Sequence, residues 1–258
     1  MNLAIIQLTA RQLLGQKRSF LLFASALIPV LIAIVYRLSD ASNEDLVVSG
    51  TGQVISDQPR WVAEVLLSQL LVGTLLPLGA LIFGTAALGS EIEDGTAVYL
   101  LSKPIPRWQI VASKLFVAWL VTAALVLLAT VVSVAIALDA PFDYRILAGF
   151  SLAVVAGALV YATFFILLSI VTSRALIVGL LYVFIWEAVL TRLFDGLRYV
   201  SVRQYALGVA DSVISGPADI FEADLNGTVA IILVFAVSSL LFVYAARRLT
   251  AWEIGEST

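Results

Sequence analysis

Long apolar stretches separated by short polar ones set the pattern of this chain. Six of the stretches are long enough to cross the ~30 Å hydrocarbon core of a bilayer as helices that rise ~1.5 Å per residue. They cover residues 19–36, 62–88, 115–138, 146–171, 175–193 and 229–246. The pattern predicts an all-α membrane protein with six transmembrane helices, built as one domain over residues 1–258.

Residues 1–18, ahead of the first span, contain no acid and follow a helical period. Arg11 and Arg18 fall on the side opposite the apolar residues Leu3, Ile6, Ala10 and Leu13. We expect an amphipathic helix lying on the membrane surface, with a frayed N-terminus as the alternative. The apolar run that follows lacks a small-residue cleavage site, so a cleaved signal peptide is not expected.

The largest polar insertion, residues 194–227, precedes the last span. One side of a helix within it would carry the apolar residues Val202, Ala206, Val209 and Val213. This spacing predicts a short amphipathic helix at the membrane interface.

Charged and small residues at helical spacing predict specific contacts of two spans. Glu64 follows Arg60 by four residues at the start of the second span, which favours an ion pair at the interface. Gly149, Ala153 and Gly157 lie four apart in the fourth span. Such a face of small residues lets another helix approach closely.

Glu187 is an acid inside the fifth span, flanked by the aromatic residues Tyr182 and Trp186. An acid at membrane depth must be neutral, paired or facing a cavity. Glu187, Tyr182 and Trp186 are therefore candidates for a substrate path or gate. The alternative is an ion pair of Glu187 with Arg192, or a contact with a polar group of another span.

The composition agrees with a membrane protein and excludes several kinds of function. Hydrophobic residues make up 61% of the chain and charged residues only 13%, about half the charged fraction of ordinary soluble domains. The chain has no cysteine and no histidine. Thiol nucleophiles, disulfides, histidine-bound zinc or haem, and Ser-His dyads are excluded. No catalytic, cofactor or metal site is predicted on this chain.

The distribution of basic residues predicts the orientation of the chain. With six spans, both termini face the same side of the membrane. The side with the termini carries more bases, namely Arg11, Lys17, Arg18, Lys103, Arg107, Lys114, Arg174, Arg247 and Arg248, than the other, which carries Arg37, Arg60, Arg145, Arg192, Arg198 and Arg203. The positive-inside rule therefore predicts cytoplasmic termini.

Residues 89–114, between the second and third spans, mix dense charge with apolar residues. Acids come first (Glu91, Glu93, Asp94), bases follow (Lys103, Arg107, Lys114), and apolar residues lie among them. This composition is typical of an element with one face toward the membrane and one toward a soluble partner. The alternative is that the charges only hold a loop at the lipid headgroups.

The order of these residues resembles a known family. Glu91-x-Glu93-x-Gly95-Thr96, followed by Leu100-Leu101-x-x-Pro104-Ile105-x-Arg107, is similar to the loop between the second and third spans of ABC type-2 transporter permeases. The N-terminal surface helix, the six spans and the insertion before the last span are similar as well. The resemblance covers essentially the whole chain.

The resemblance implies a function for residues 89–114. In such permeases this loop carries a coupling helix that docks on a separate ATPase subunit. By position, the coupling residues would be Glu91, Glu93, Gly95, Thr96, Leu101, Pro104 and Arg107. The resemblance also implies export across the cytoplasmic membrane, a second permease copy or paralogue, and ATP and Mg bound by the partner.

The chain itself lacks the phosphate-binding motif of such an ATPase. That motif needs Gly-Lys-Ser/Thr, and glycine precedes none of the three lysines, Lys17, Lys103 and Lys114. The chain is thus not expected to be an enzyme, and no nucleic-acid partner is predicted. A secondary transporter or channel would need more ionisable residues at membrane depth than Glu187 alone. A non-transporting membrane assembly factor is the further alternative.

Overall fold

The computed structural model describes residues 3–15, 17–40, 46–48, 54–56, 58–93, 95, 106–138, 144–214 and 221–250. Within these ranges the chain is helical apart from one small hairpin and the connecting turns. Five of the described helices are long and apolar enough to cross a membrane, and Ala175–Leu190 is a shorter apolar helix. The prediction of an all-α membrane protein is confirmed.

The helices follow one another along the chain as the spans and their connections. The first part comprises α1 (Leu3–Gly15), α2 (Lys17–Asp40), α3 (Gln58–Trp61), the π-helix π1 (Val62–Leu75) and α4 (Leu76–Glu93). The second part comprises α5 (Arg107–Ala137), α6 (Tyr144–Val171), α7 (Ala175–Leu181), the π-helix π2 (Tyr182–Leu190), α8 (Thr191–Leu193), a 3-10 helix (Asp195–Val200), α9 (Val202–Ile214) and α10 (Gly227–Thr250). Between α2 and α3, β1 (Leu46–Val48) pairs antiparallel with β2 (Val54–Ser56).

Spans one, three, four and six are α2, α5, α6 and α10, and two spans are composite. Span two is the continuous run α3–π1–α4, and span five is α7–π2–α8. We call the side of the bundle with α1 and the end of α10 the terminal side, and the opposite side the distal side. Both π-helices lie in the distal halves of their spans. Helices with i→i+5 hydrogen bonds are rare in proteins overall, but those that occur are often found at functional sites.

Helices occupy more of residues 89–114 than the apolar pattern suggests. Span two continues to Glu93 and span three begins at Arg107, well before residue 115. Pro106 directly precedes this helix with an extended ψ of 132°, which suits a residue that lacks the backbone N–H a helix interior needs. The predicted coupling helix, with Thr96, Leu101 and Pro104, lies outside the described residues.

Two apolar clusters, one toward each side, hold the bundle together. The terminal-side cluster joins α1, α4, α5 and α10 through buried residues such as Leu13, Phe83, Ile110 and Leu249. The larger cluster fills the centre and the distal side around residues such as Leu71, Phe150, Tyr161 and Ala206. The lipid-facing sides of α2, π2 and α10 remain exposed and apolar, as expected where the solvent is lipid.

The predicted helix of the insertion exists as α9, but it is enclosed rather than lying on the surface. It packs mainly against α6 and also against α10. A Cβ on Gly149 would lie 2.8 Å from the Ala210 carbonyl oxygen, and one on Gly157 would lie 3.1 Å from the Ala206 Cβ. The predicted small-residue face of span four therefore does receive a helix, and that helix is α9.

Candidate functional site

The first polar site lies on the terminal side, where the helices flanking residues 94–106 meet. The ammonium of Lys114 on α5 donates hydrogen bonds to the Ala87 carbonyl oxygen at 2.6 Å and to Glu91 Oε1 at 2.7 Å. The Lys114 side chain is 1% exposed and the Glu91 side chain 12%. The sequence marked Lys114 only as one of the bases of residues 89–114, and the structure buries it against span two.

Helix geometry explains how one ammonium reaches both acceptors. Ala87 and Glu91 are four residues apart on α4, so they lie on the same face, one turn above the other. A buried charge is tolerated when it is paired and its remaining hydrogen-bonding capacity is used. Lys114 is paired with one carboxylate and gives a second hydrogen bond to a backbone carbonyl oxygen. The pair thereby links the end of span two on the terminal side to the start of span three.

Helix α1 joins the same turn of α4. Gln12 Nε2 donates to Ser90 Oγ at 2.9 Å, and Ser90 Oγ donates to the Ala86 carbonyl oxygen at 2.7 Å. Leu13 of α1 is fully buried in the terminal-side cluster. Three elements, α1, α4 and α5, are therefore joined next to residues 94–106.

The other predicted coupling residues occupy the ends of α4 and α5. Glu93 is the last residue of α4, and Arg107 is the first residue of α5. Gly95 has φ +68°, and its amide donates to the Ile92 carbonyl oxygen at 3.2 Å. A left-handed glycine just after a helix is a common way to end it.

The second polar site surrounds Glu187 in the distal half of span five. Glu187 is 2% exposed. Its Oε1 accepts hydrogen bonds from the Tyr182 hydroxyl at 2.8 Å and from the Val202 amide at 2.9 Å. Its Oε2 accepts from the Ser201 hydroxyl at 2.6 Å. The predicted residues Glu187 and Tyr182 are thus brought together, and their partners belong to the insertion.

The start of α9 explains why a carboxylate fits there. The first amides of a helix lack intrahelical partners and favour negative charge. Val202 begins α9 and gives its amide to Glu187, while Ser201 Oγ accepts from the Gln204 amide at 3.2 Å as the N-cap. Glu187 therefore fixes the insertion helix to span five.

Aromatic side chains lie around this carboxylate. Tyr161 of span four is fully buried, and its hydroxyl is within electrostatic range of Glu187 and Arg203. The Tyr182 ring packs on Phe164 with centroids 4.5 Å apart. Trp186 does not contact the carboxylate; its indole N–H donates to the Val200 carbonyl oxygen at 3.4 Å.

Sequence analysis did not identify Ser201 or Arg203 as site residues. Ser201 could have been found, since a serine directly before an amphipathic run is a typical N-cap. Arg203 was counted only as a loop base, yet its Nη2 lies 3.5 Å from Ser68 Oγ of span two.

A cavity of about 330 Å³ opens beside this cluster. It is lined by Ser68, Thr191, Arg203, Gln204, Leu207, Phe221, Glu222, Ala223 and Asp224. Burial, and secondarily the Glu187 carboxylate, raise the pKa of the nearby Tyr205 phenol above its ordinary value. Its hydroxyl donates to the Tyr199 carbonyl oxygen at 2.6 Å. In the described part of the chain, no three acidic side chains lie close enough together to hold a metal ion.

Comparison with known families agrees with this arrangement of spans. The family model described as "ABC-2 family transporter protein" matches residues 3–205. The chain belongs to the ABC-2 transporter family. This ABC-2 protein is therefore a membrane permease component of an ABC transporter, as the resemblance of residues 89–114 predicted. The family match extends from α1 through span five and ends inside α9, and no curated protein sequence matches the chain.

Proposed function

We propose that this ABC-2 protein is the permease subunit of an ATP-driven exporter. A separate subunit binds ATP and Mg, hydrolyses ATP and docks on the terminal side, which faces the cytoplasm. The excess of basic residues on that side supports this orientation. The absence of Gly-Lys-Ser/Thr from the sequence supports placing ATP hydrolysis on the partner. A second copy or a paralogue completes the passage through the membrane.

The observation that carries this proposal is the buried Lys114–Glu91 pair. The docking segment, residues 94–106, connects α4 to α5, and the pair joins these helices directly beside it. A push on the segment therefore moves spans two and three together rather than spreading them. Packed helices transmit such displacements as rigid elements. The contact between Gln12 and Ser90 carries the same movement to α1.

The distal end of the passage is proposed to open at the Glu187 cluster. Glu187, Tyr182 and Trp186 lie on π2, and Glu187 holds the start of α9 through Ser201 and Val202. Release of these hydrogen bonds would free the insertion from span five. This supports a role of the three residues in gating rather than in catalysis.

The test is ATP hydrolysis by the reconstituted complex of the chain with the ABC ATPase that copurifies with it. The double variant Lys114→Met with Glu91→Met removes both charges and leaves side chains of similar length. Replacing both partners of a buried pair by apolar groups is often neutral for stability. We therefore expect a folded complex in which the permease no longer modulates hydrolysis.

The single variant Lys114→Met and an exposed pair complete the design. Lys114→Met alone leaves Glu91 buried without its cation, a change that costs about 3–5 kcal/mol. Glu64→Gln is the matched control, since the Arg60–Glu64 pair is exposed, with 58% and 49% of the side chains accessible, and such pairs contribute about 0–1 kcal/mol. Unaltered modulation of hydrolysis in the double variant would refute the proposed transmission.

Docking itself is tested at Glu93. Glu91 is a poor choice for charge reversal because it is paired with Lys114. Glu93 is the last residue of α4 and is adjacent in sequence to the docking segment. Glu93→Lys is expected to weaken binding of the ATPase subunit while leaving the thermal stability of the permease unchanged. Binding is measured by surface plasmon resonance with the purified subunits, and wild-type affinity would contradict the docking role.

A further inference from the structure

The distal cavity, defined by the lining residues given above, lies on the side of the bundle that carries several aromatic residues typical of a membrane interface. Trp61 stacks on Tyr36 with ring centroids 3.9 Å apart at the distal ends of spans one and two, and Trp186 lies in the distal half of span five. Tryptophan and tyrosine concentrate at the membrane–water interface. The cavity reaches inward from this level to Ser68 on π1. A volume of about 330 Å³ is at the lower end of the ~300–1,000 Å³ range of small-molecule pockets.

The inner wall of the cavity offers hydrogen-bond donors with positive charge. Arg203 lines it, with Nη2 3.5 Å from Ser68 Oγ. The Arg203 guanidinium lies directly over Gly73, because a Cβ there would be 3.1 Å from Arg203 Nε. A guanidinium and a hydroxyl on one wall suit a phosphate group.

The lining also offers acceptors with negative charge. Glu222 and Asp224 are exposed and line the cavity together with Gln204. Asp211 accepts a hydrogen bond from the Ala223 amide, and its partial burial raises the pKa of its carboxyl, with Glu222 adding to the effect. These contacts hold the acidic segment against α9.

The Gln204 side chain is held by an acidic residue of the lining. Its Nε2 donates to Asp224 Oδ2 at 3.0 Å, which fixes the orientation of the amide because a carboxylate only accepts. Its Oε1 is buried and has no hydrogen-bond partner among the described residues. This oxygen has almost no accessible surface, so a ligand in the cavity would contact Gln204 only through its other atoms.

We propose that the distal cavity binds a zwitterionic phosphate–ammonium group. The phosphate faces Arg203 and Ser68, and the ammonium faces the carboxylates of Asp224 and Glu222. The lining carries both a cation and carboxylates, the two kinds of group that a phosphoethanolamine or phosphocholine headgroup needs. Its position on the side with the interfacial aromatic residues suits an amphiphile whose chains remain in the bilayer. The site does not depend on ATP coupling, and binding can be measured on the permease alone.

The experiment measures binding of dihexanoyl-phosphatidylethanolamine to the purified chain in detergent by microscale thermophoresis. Dihexanoyl-phosphatidylglycerol has the same chains and phosphate but no ammonium. We expect it to bind at least tenfold more weakly, because Asp224 and Glu222 then face no cation. Equal affinity for the two lipids would overturn the zwitterionic assignment.

Three variants test the residues of the inner wall. Arg203→Gln removes the guanidinium, and we expect affinity for phosphatidylethanolamine to fall at least tenfold. Gly73→Ala keeps the charge but displaces the guanidinium, so it should weaken binding as well. Arg60→Gln removes an exposed arginine outside the cavity and should bind as the wild type does. Wild-type affinity in both Arg203→Gln and Gly73→Ala would overturn the site.

Asp224→Asn tests the acidic part of the lining, and its expected result cannot be explained by misfolding. It should reduce the preference for phosphatidylethanolamine over phosphatidylglycerol without reducing affinity for the latter, an outcome that a misfolded variant cannot give. An unchanged preference for phosphatidylethanolamine would refute the proposed contact of the ammonium with Asp224. The headgroup could belong to a soluble ligand or to a membrane lipid, and competition with free phosphoethanolamine distinguishes them. If it displaces the bound lipid, the natural ligand is soluble. If the lipid stays bound, the natural ligand is a membrane lipid.

Discussion

At the scale of single residues, two buried charges perform different tasks on opposite sides of the bundle. Lys114 joins two neighbouring spans through Glu91 and a backbone carbonyl. Glu187 joins span five to the insertion through the Ser201 hydroxyl and the Val202 amide, and it also accepts from Tyr182 of its own span. Each charge is hydrogen-bonded inside the bundle, so its partners contribute to stability.

Glu187→Ala is expected to loosen the start of α9. The change leaves the Val202 amide and the hydroxyls of Tyr182 and Ser201 without their acceptor, at a cost of about 1–3 kcal/mol for each buried group left unsatisfied. Hydrogen exchange followed by mass spectrometry should show faster exchange at the beginning of α9.

The control for this prediction is Glu222→Gln, which changes an exposed acid of the same insertion. Its exchange pattern should match that of the wild type. If α9 in Glu187→Ala exchanged as slowly as in the wild type, the insertion would be held by packing alone.

Some of these residue contacts could be predicted from the sequence. The Arg60–Glu64 ion pair is confirmed at 3.1 Å, since its geometry depends only on spacing within one helix. The burial of Lys114 depends instead on which turn of α5 faces α4. That register is set by packing between the two helices. The residues that connect them have no regular apolar spacing, so the sequence pattern could not predict which turns meet.

At the scale of elements, small residues decide which helices approach each other. Gly149 and Gly157 of span four allow close contact with α9, and Gly208 of α9 allows close contact with Ala230 of span six. The spacing of Gly149, Ala153 and Gly157 predicted a helix contact but not the identity of the helix. The partner comes from the insertion, whose amphipathic pattern suggested a surface position instead.

Gly149→Ala is expected to destabilise the bundle by about 1–3 kcal/mol, the usual cost of overpacking. The added Cβ would lie 2.7 Å from Ile214 Cγ1 and 2.8 Å from the Ala210 carbonyl oxygen, so α9 would have to move. Thermal unfolding in detergent measures the effect.

Gly196→Ala is the matched control, since a Cβ there meets nothing within 4 Å. It should unfold at the wild-type temperature. Equal stability of the two variants would show that α9 moves away from span four without cost.

At the scale of the whole molecule, the apolar pattern predicted the fold class, because a bilayer forces each crossing segment to form a helix. It did not predict the π-helical winding of Val62–Leu75 and Tyr182–Leu190. Apolar content is the same for α and π winding, and the choice between them depends on packing with neighbouring spans.

The absence of cysteine makes the proposed orientation directly testable. Ser173 lies in the exposed turn between spans four and five on the terminal side, and Gly196 is exposed on the distal side. A membrane-impermeant maleimide added to intact cells should label Gly196→Cys but not Ser173→Cys.

After lysis, Ser173→Cys should also become labelled, and the parent chain serves as the blank because it holds no thiol. Labelling of Ser173→Cys in intact cells would reverse the orientation and place residues 94–106 outside the cell.

The enclosure of α9 between spans four and six has a consequence for biosynthesis. Chains fold from the N-terminus as they leave the ribosome, yet Gly208 is covered by Leu225 and Ala230, which are translated later. Until the final span is integrated, one side of the insertion helix therefore lacks its cover. A nascent chain released before residue 227 would expose that side to membrane quality control, so the synthesis of span six is also the step that covers the insertion helix.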